Sequence, residues 1–142
     1  MRGGEMSVQS ELDARILDDV ADALIYSDRA GTITRWNRAS TALFGFSAGE
    51  ALGHNLDLII PEHLRAAHWK GFEAALASGS MKLAGRPTLT RALHQSGRKL
   101  YIEMTFALVR DAGGAVVGSV AMARDVTERV ERERAARLAQ NS

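Results

Sequence analysis

The strongest constraint on the fold is a strict two-residue alternation in the second half of the chain. Residues 98–110, "RKLYIEMTFALVR", alternate two sets of side chains: Tyr101, Glu103, Thr105 and Ala107 against Ile102, Met104, Phe106 and Leu108. This period is typical of a strand that buries one face. The turn-forming groups "HQSGRK" and "DAGG" separate it from strand-like runs over 82–93 and 115–126. We therefore expect three consecutive antiparallel strands.

The first half of the chain adds a hairpin and several helices. Residues 9–22 place apolar side chains at helical spacing, which predicts a short leading helix. Two strands are expected near 24–27 and 32–36, separated by a turn at 28–31. Glycines interrupt residues 37–59, so only short helices fit there. Strands at both ends with helices between them predict one antiparallel sheet with helices on one face, an α+β domain.

Composition excludes several function classes. Eighteen basic and seventeen acidic residues give a net charge of +1, so there is no overall field to hold nucleic acid or an anionic membrane. The longest apolar runs fall short of the roughly 20 residues that a membrane span needs, and no secretory signal is visible, so we expect a cytoplasmic protein. The absence of cysteine excludes disulfides, iron–sulfur clusters and thiolate ligands. No nucleophile–base pair or paired carboxylates indicate an enzyme.

One histidine stands out in the predicted helix that follows Pro61. Helical spacing puts His68 on an apolar side that is shared by Leu64, Ala67, Gly71, Phe72 and Ala75, and puts Trp69 on the polar side. An unpaired buried polar group costs about 1–3 kcal/mol, so an inward imidazole needs a partner. A backbone carbonyl, a water or a metal would each serve.

Two long segments resemble the PAS domain, a small sensory module of bacterial signalling proteins. They are "GTITRWNRASTALFGFSAGEALGHNLDLIIP" and "HQSGRKLYIEMTFALVRDAGGAVVGSVAMARDVTER", and the resemblance covers about residues 20–130. It implies a five-stranded antiparallel sheet with short helices packed on one face and flanking N- and C-terminal helices. It divides the chain into an N-terminal extension (1–22), the PAS sensor (23–126) and a signalling helix (127–142) that leads to an effector domain outside this chain.

The segment "IPEHLRAAHWKGF" is similar to the helix of haem-containing PAS domains from oxygen-sensing histidine kinases and direct oxygen sensor phosphodiesterases. The resemblance implies that His68 ligates the iron of haem b, as a neutral imidazole can. Leu64 and Phe72 would exclude water, and Gly71 would leave room for the ring. The implied function is sensing of oxygen, another diatomic gas or redox state.

The same resemblance assigns the opposite wall of the pocket. Met104 and Phe106 match its apolar positions. Arg86 falls where the phosphodiesterases carry a methionine ligand, and Thr88 falls where the oxygen sensors carry an arginine. Arg86 could hydrogen-bond bound oxygen or pair with a haem propionate.

Two other readings of the PAS resemblance stay open at this point. The first is a cofactor-free or small-ligand module for dimerisation and signal relay, in which His68 satisfies a core hydrogen bond. The second is a flavin redox sensor, although Trp36 and Trp69 make no flavin motif by themselves. The leading helix offers an apolar stripe that could pack on a second copy, so a homodimer is expected.

Overall fold

The computed structural model describes residues 2–81 and 85–141, with side chains from residue 7 onward. The strands are β1 (Ala23–Asp28), β2 (Ile33–Trp36), β3 (Thr88–Leu93), β4 (Lys99–Arg110) and β5 (Val116–Asp125). The α-helices are α1 (Arg2–Asp19), α2 (Arg38–Phe44), α3 (Ala48–Ala51), α4 (Glu62–Ser78) and α5 (Thr127–Gln140). The 3-10 helix η1 (Leu56–Ile59) precedes α4.

The strands form one antiparallel sheet in the order β2-β1-β5-β4-β3. The last strand in the sequence therefore lies in the middle, where Ala121 of β5 faces Ile25 on one side and Phe106 on the other. This arrangement confirms the predicted α+β fold with a five-stranded antiparallel sheet. The strand predicted over 82–93 begins at Thr88, and residues 82–84 lie outside the described part of the chain.

The core lies between the inner face of the sheet and the short helices α2, α3 and η1. Its completely buried large side chains are Phe44, Ile33, Leu100 and Ile102. Burying each such side chain contributes about 1.5–3 kcal/mol. Trp36 joins this cluster, with its ring centroid 5.6 Å from that of Phe44. One of the two alternating sets of side chains in β4 thus faces the core, as expected.

Asn37 ties the sheet to the short helices. Its side-chain oxygen accepts hydrogen bonds from the backbone N–H groups of Leu24 and Ser40, and its amide donates to the carbonyl of Asp22. It also serves as the N-cap of α2, satisfying a helix N–H that has no partner within the helix.

The flanking helices contact the outer face of the sheet. Leu17 of α1 lies beside Leu24 and Tyr26 along an open groove of about 410 Å³, while Val8, Leu12 and Ile16 are exposed. The first turns of α5 dock against β4, where Val130 is only 6% exposed and the Arg134 guanidinium lies 4.9 Å from the centre of the Tyr101 ring. In the described ranges, no helix combines the length and apolar character needed to cross a bilayer.

Candidate cofactor site

Helix α4 carries the histidine singled out by the sequence. Leu64, His68 and Phe72 are half-buried and Ala75 is buried, as the helical spacing predicts. The buried face is rotated from the predicted one, however: Ala67 and Gly71 are exposed, whereas Trp69 is half-buried. The placement of Trp69 on the polar face was therefore wrong.

The rotation has a physical cause, because Trp69 is held by two contacts outside α4. Its indole N–H donates to a carboxylate oxygen of Asp57 in η1 at 2.8 Å. Its ring packs on Gly31, where an added Cβ would come within 2.3 Å of the ring. Arg65 also donates to the carbonyls of Asp57 and Ile60. These contacts fix the N-terminal half of α4.

The C-terminal end of α4 is fixed to the far end of the sheet. The helix ends at Gly79 in the left-handed conformation, with φ of 70°, which glycine adopts without a Cβ penalty. The Arg110 guanidinium at the end of β4 donates to the Gly79 carbonyl. Helix α4 is therefore attached at both ends, and His68 lies between the attachments.

His68 sits in an aromatic group with Trp69 and Phe72, at ring centroid distances of 4.6 Å and 5.9 Å. Its Nδ1 is buried and has no hydrogen-bond partner within the described residues. Burial lowers the pKa of His68, and the negative charge of Asp57 opposes this only in part. Burial thus favours the neutral imidazole, the form that binds a metal.

The sheet supplies the other predicted site residues. Thr88 faces Met104 across the β3–β4 ladder, and Phe106 follows on the same face of β4. Met104 is buried, while Thr88 and Phe106 are half-buried. The structure thus brings Thr88, Met104 and Phe106 together on the inner face of the sheet.

Two predicted site residues lie elsewhere. Gly71 is exposed, and an added Cβ there would have nothing within 4 Å. Arg86 is exposed two residues before β3, where its carbonyl accepts from the Thr88 hydroxyl at 3.5 Å. The exposed position of Gly71 therefore does not support its expected role, which was to leave room for a ring.

The other histidines show no metal-site arrangement. His54 and His63 are exposed, as expected for surface positions, whereas His94 is half-buried with its ring against Gly45. Within the described ranges, no group of three or more histidine and carboxylate side chains could hold a metal ion.

Sequence reasoning missed Ser27 and Asp57. Ser27 is 1% exposed, and its hydroxyl has no hydrogen-bond partner in the part of the chain that the structure describes. Its position two residues after Ile25 in a short strand was the available signal, since alternation places it on the buried face. Asp57 could not be singled out, because its partner Trp69 was placed on the wrong face.

Comparison with known proteins agrees with this architecture. Residues 11–126 match the family described as the PAS fold. A protein of Azorhizobium caulinodans is 35% identical over 136 residues, covering 94% of this chain and 18% of its own length. Sensor protein FixL of Bradyrhizobium diazoefficiens is 40% identical over 53 residues, covering 37% of this chain and 10% of its own. Oxygen sensor protein DosP of Escherichia coli is 27% identical over 104 residues, covering 72% and 13%. The chain thus spans less than a fifth of each of these relatives.

Solved structures show the same fold. The PAS domain of a Colwellia psychrerythraea protein superposes with a TM-score of 0.72 at 24% identity, covering 83% of this chain and 97% of that one. An RNA-binding light-oxygen-voltage receptor gives a TM-score of 0.71 at 26% identity, covering 96% of this chain and 38% of that one. The fold thus occurs in proteins with different inputs, and the site must be argued from its own residues.

Proposed function

This chain belongs to the PAS family, and from that premise we propose that it is the haem-binding sensor module of a longer bacterial signalling protein, with His68 as the axial ligand of haem b. The observation that carries the proposal is the half-buried His68 imidazole, whose buried Nδ1 has no partner among the described residues. An iron bound at Nδ1 would give this atom its partner, since a neutral imidazole can ligate metal through either ring nitrogen.

The neighbouring residues fit a flat, mostly apolar group. Leu64 and Phe72 flank His68 on α4 and would exclude water, while Met104 and Phe106 would face them from the sheet. Small side chains on β5, those of Ala121 and Ala123, would leave room for the ring on the sheet side. Gly71 would not contribute, because its Cβ position faces open space. Bound haem would supply an iron that takes up a diatomic gas such as oxygen, or changes redox state.

Polar groups for a bound gas would come from the start of β3. The Thr88 hydroxyl is half-buried and can reorient, because its hydrogen bond to the Arg86 carbonyl is long at 3.5 Å. Arg86 would have to turn inward from its exposed position to pair with a propionate or with bound oxygen.

A flavin redox sensor is the second candidate. It is favoured by the similarity to the light-oxygen-voltage receptor, which extends over 96% of this chain at 26% identity. With no cysteine in the sequence, a flavin here would be held without a covalent bond to sulfur. A cofactor-free or small-ligand module for dimerisation and relay is the third candidate, and it predicts a colourless protein that takes up neither cofactor.

The wider context is part of the same proposal. Residues 23–126 act as the sensor, residues 1–22 as an N-terminal extension, and residues 127–142 as a signalling helix to an effector domain outside this chain. The module works as a cytoplasmic homodimer without catalytic activity of its own, and it binds neither nucleic acid nor membrane.

The test is haem titration into the wild-type protein and into His68→Ala, followed by Soret absorbance and circular dichroism. His63→Ala is the matched control, because His63 is an exposed histidine on the same helix. We expect stoichiometric haem uptake by the wild type and His63→Ala, and none by a folded His68→Ala. Equal uptake by all three, or no uptake by the wild type, would contradict the assignment.

A further inference from the structure

Ser27 carries a buried hydroxyl on β1. It is 1% exposed, and its Oγ has no hydrogen-bond partner in the ranges that the structure describes. Ser40, which is 0% exposed, shows the usual situation: its Oγ donates to the Leu24 carbonyl at 3.0 Å and lies 2.9 Å from the Asn37 side-chain oxygen. A buried hydroxyl without a partner costs about 1–3 kcal/mol. Ser27 is therefore expected to have a partner from outside the protein.

Ser27 lies on the inner face of the sheet, beside the small residues of the central strand. It faces Ser119 across the β1–β5 ladder, and Ala121 and Ala123 continue the same face of β5. These three side chains on β5 have little volume. The inner face next to the Ser27 hydroxyl is therefore lined on the β5 side by small side chains.

His68 approaches the same end of the sheet from α4. The turn that directly follows Ser27 is closed by the hydrogen bond from the Gly31 N–H to the Asp28 carbonyl. Trp69, the neighbour of His68, packs on Gly31. Among the described residues, two buried polar atoms without partners thus lie on neighbouring elements: Ser27 Oγ on β1, and His68 Nδ1 on α4, whose Trp69 packs on the turn after β1.

We propose that Ser27 donates a hydrogen bond to an acceptor oxygen of a planar, conjugated cofactor that binds between α4 and the sheet. The proposal rests on the proposed function in that a planar cofactor binds there, but it does not depend on which one. A haem propionate and a flavin ring carbonyl both offer such an oxygen on the edge of a flat ring. Ser27 is in either case a binding residue.

Two measurements on Ser27→Ala and Ser40→Ala test this role. The first is the free energy of unfolding of the cofactor-free protein in urea. Ser27→Ala should unfold at the same or a higher urea concentration than the wild type, because it removes a hydroxyl that has no partner. Ser40→Ala should unfold at a lower urea concentration, because it leaves the Leu24 carbonyl without its hydroxyl donor.

The second measurement is the affinity for haemin and, separately, for flavin mononucleotide, followed by absorbance. Loss of one hydrogen bond should weaken binding of the accepted cofactor about three- to tenfold in Ser27→Ala. Ser40→Ala should bind with wild-type affinity. Tight binding of flavin instead of haemin would overturn the haem assignment but leave the role of Ser27 to be decided by the flavin affinities.

Three results would overturn the role of Ser27. Unchanged cofactor affinity in Ser27→Ala means that its hydroxyl does not contact the cofactor. A loss of cofactor-free stability as large as that of Ser40→Ala means that the hydroxyl is satisfied within the protein or by a resident water. Failure of the wild type to bind either cofactor removes the acceptor altogether, and the haem proposal with it.

Discussion

At the scale of single residues, Gly31 must be glycine for two reasons, its backbone conformation and its contact with the α4 residue Trp69. It has φ of +83°, and a Cβ there would collide with the Trp69 ring. Gly53 has a similar φ of +86° with nothing near its Cβ position. Gly53→Ala should therefore cost only the left-handed strain of about 1–2 kcal/mol. Gly31→Ala should cost about 1–3 kcal/mol more, because the ring must move. Urea unfolding of both variants measures the difference, and equal losses would contradict the contact.

The comparison of His68 with Trp69 shows what residue patterns can predict. His68 was placed inward correctly, because its apolar neighbours at helical spacing define a face. Trp69 was misplaced, because its position depends on Gly31 and Asp57, which are distant in sequence. A polar or aromatic residue at the border of a helix face turns toward whichever partner the tertiary fold provides. The free hydroxyl of Ser27 was unpredictable for the same reason, since only the fold shows which hydroxyls lack partners.

At the scale of elements, α5 docks on the sheet through its first turns. Val130 is buried against β4, whereas Leu138, two turns further on the same side of the helix, is 71% exposed. Val130→Ala should loosen the docked part by about 1.5 kcal/mol. Trypsin cleavage after Arg129 should then become about tenfold faster, because cleavage requires local unfolding.

Leu138→Ala is the control for this experiment, and its cleavage rate after Arg129 should match the wild type. The same rate in Val130→Ala would show that docking of α5 does not depend on this contact.

The elements themselves were largely predictable: the alternation in β4 and the turns around it placed three strands, and glycines delimited the short helices. The extent of α1 was not, because only its C-terminal part has the apolar spacing that marked it in the sequence.

At the scale of the whole molecule, the exposed side of α1 predicts self-association. Val8, Leu12 and Ile16 form an exposed apolar stripe with a spacing of four residues, next to the open groove lined by Leu17, Tyr26 and Val120. A second copy could cover both surfaces. We expect light scattering to give a dimer mass that falls on dilution, and a monomer mass for the double variant Leu12→Ser/Ile16→Ser.

Asp13→Ser is the control for the dimer prediction, because it changes an exposed charged residue of the same helix. It should dimerise like the wild type. A wild-type protein that stays monomeric at every concentration would refute the prediction. The apolar stripe on α1 predicts self-association from the sequence alone. The groove beside it could not be predicted, because its lining residues are distant in sequence.

The strand order also has a consequence for biosynthesis. Because β5 separates β1 from β4, the chain leaves the ribosome first as a β1–β2 hairpin and later as a β3–β4 hairpin, with no shared ladder between them. The two hairpins can become parts of one sheet only after residues 116–125 have been translated. A polypeptide truncated before residue 116 would contain two separate hairpins with exposed strand edges. We expect chaperones and proteases to act on such a chain.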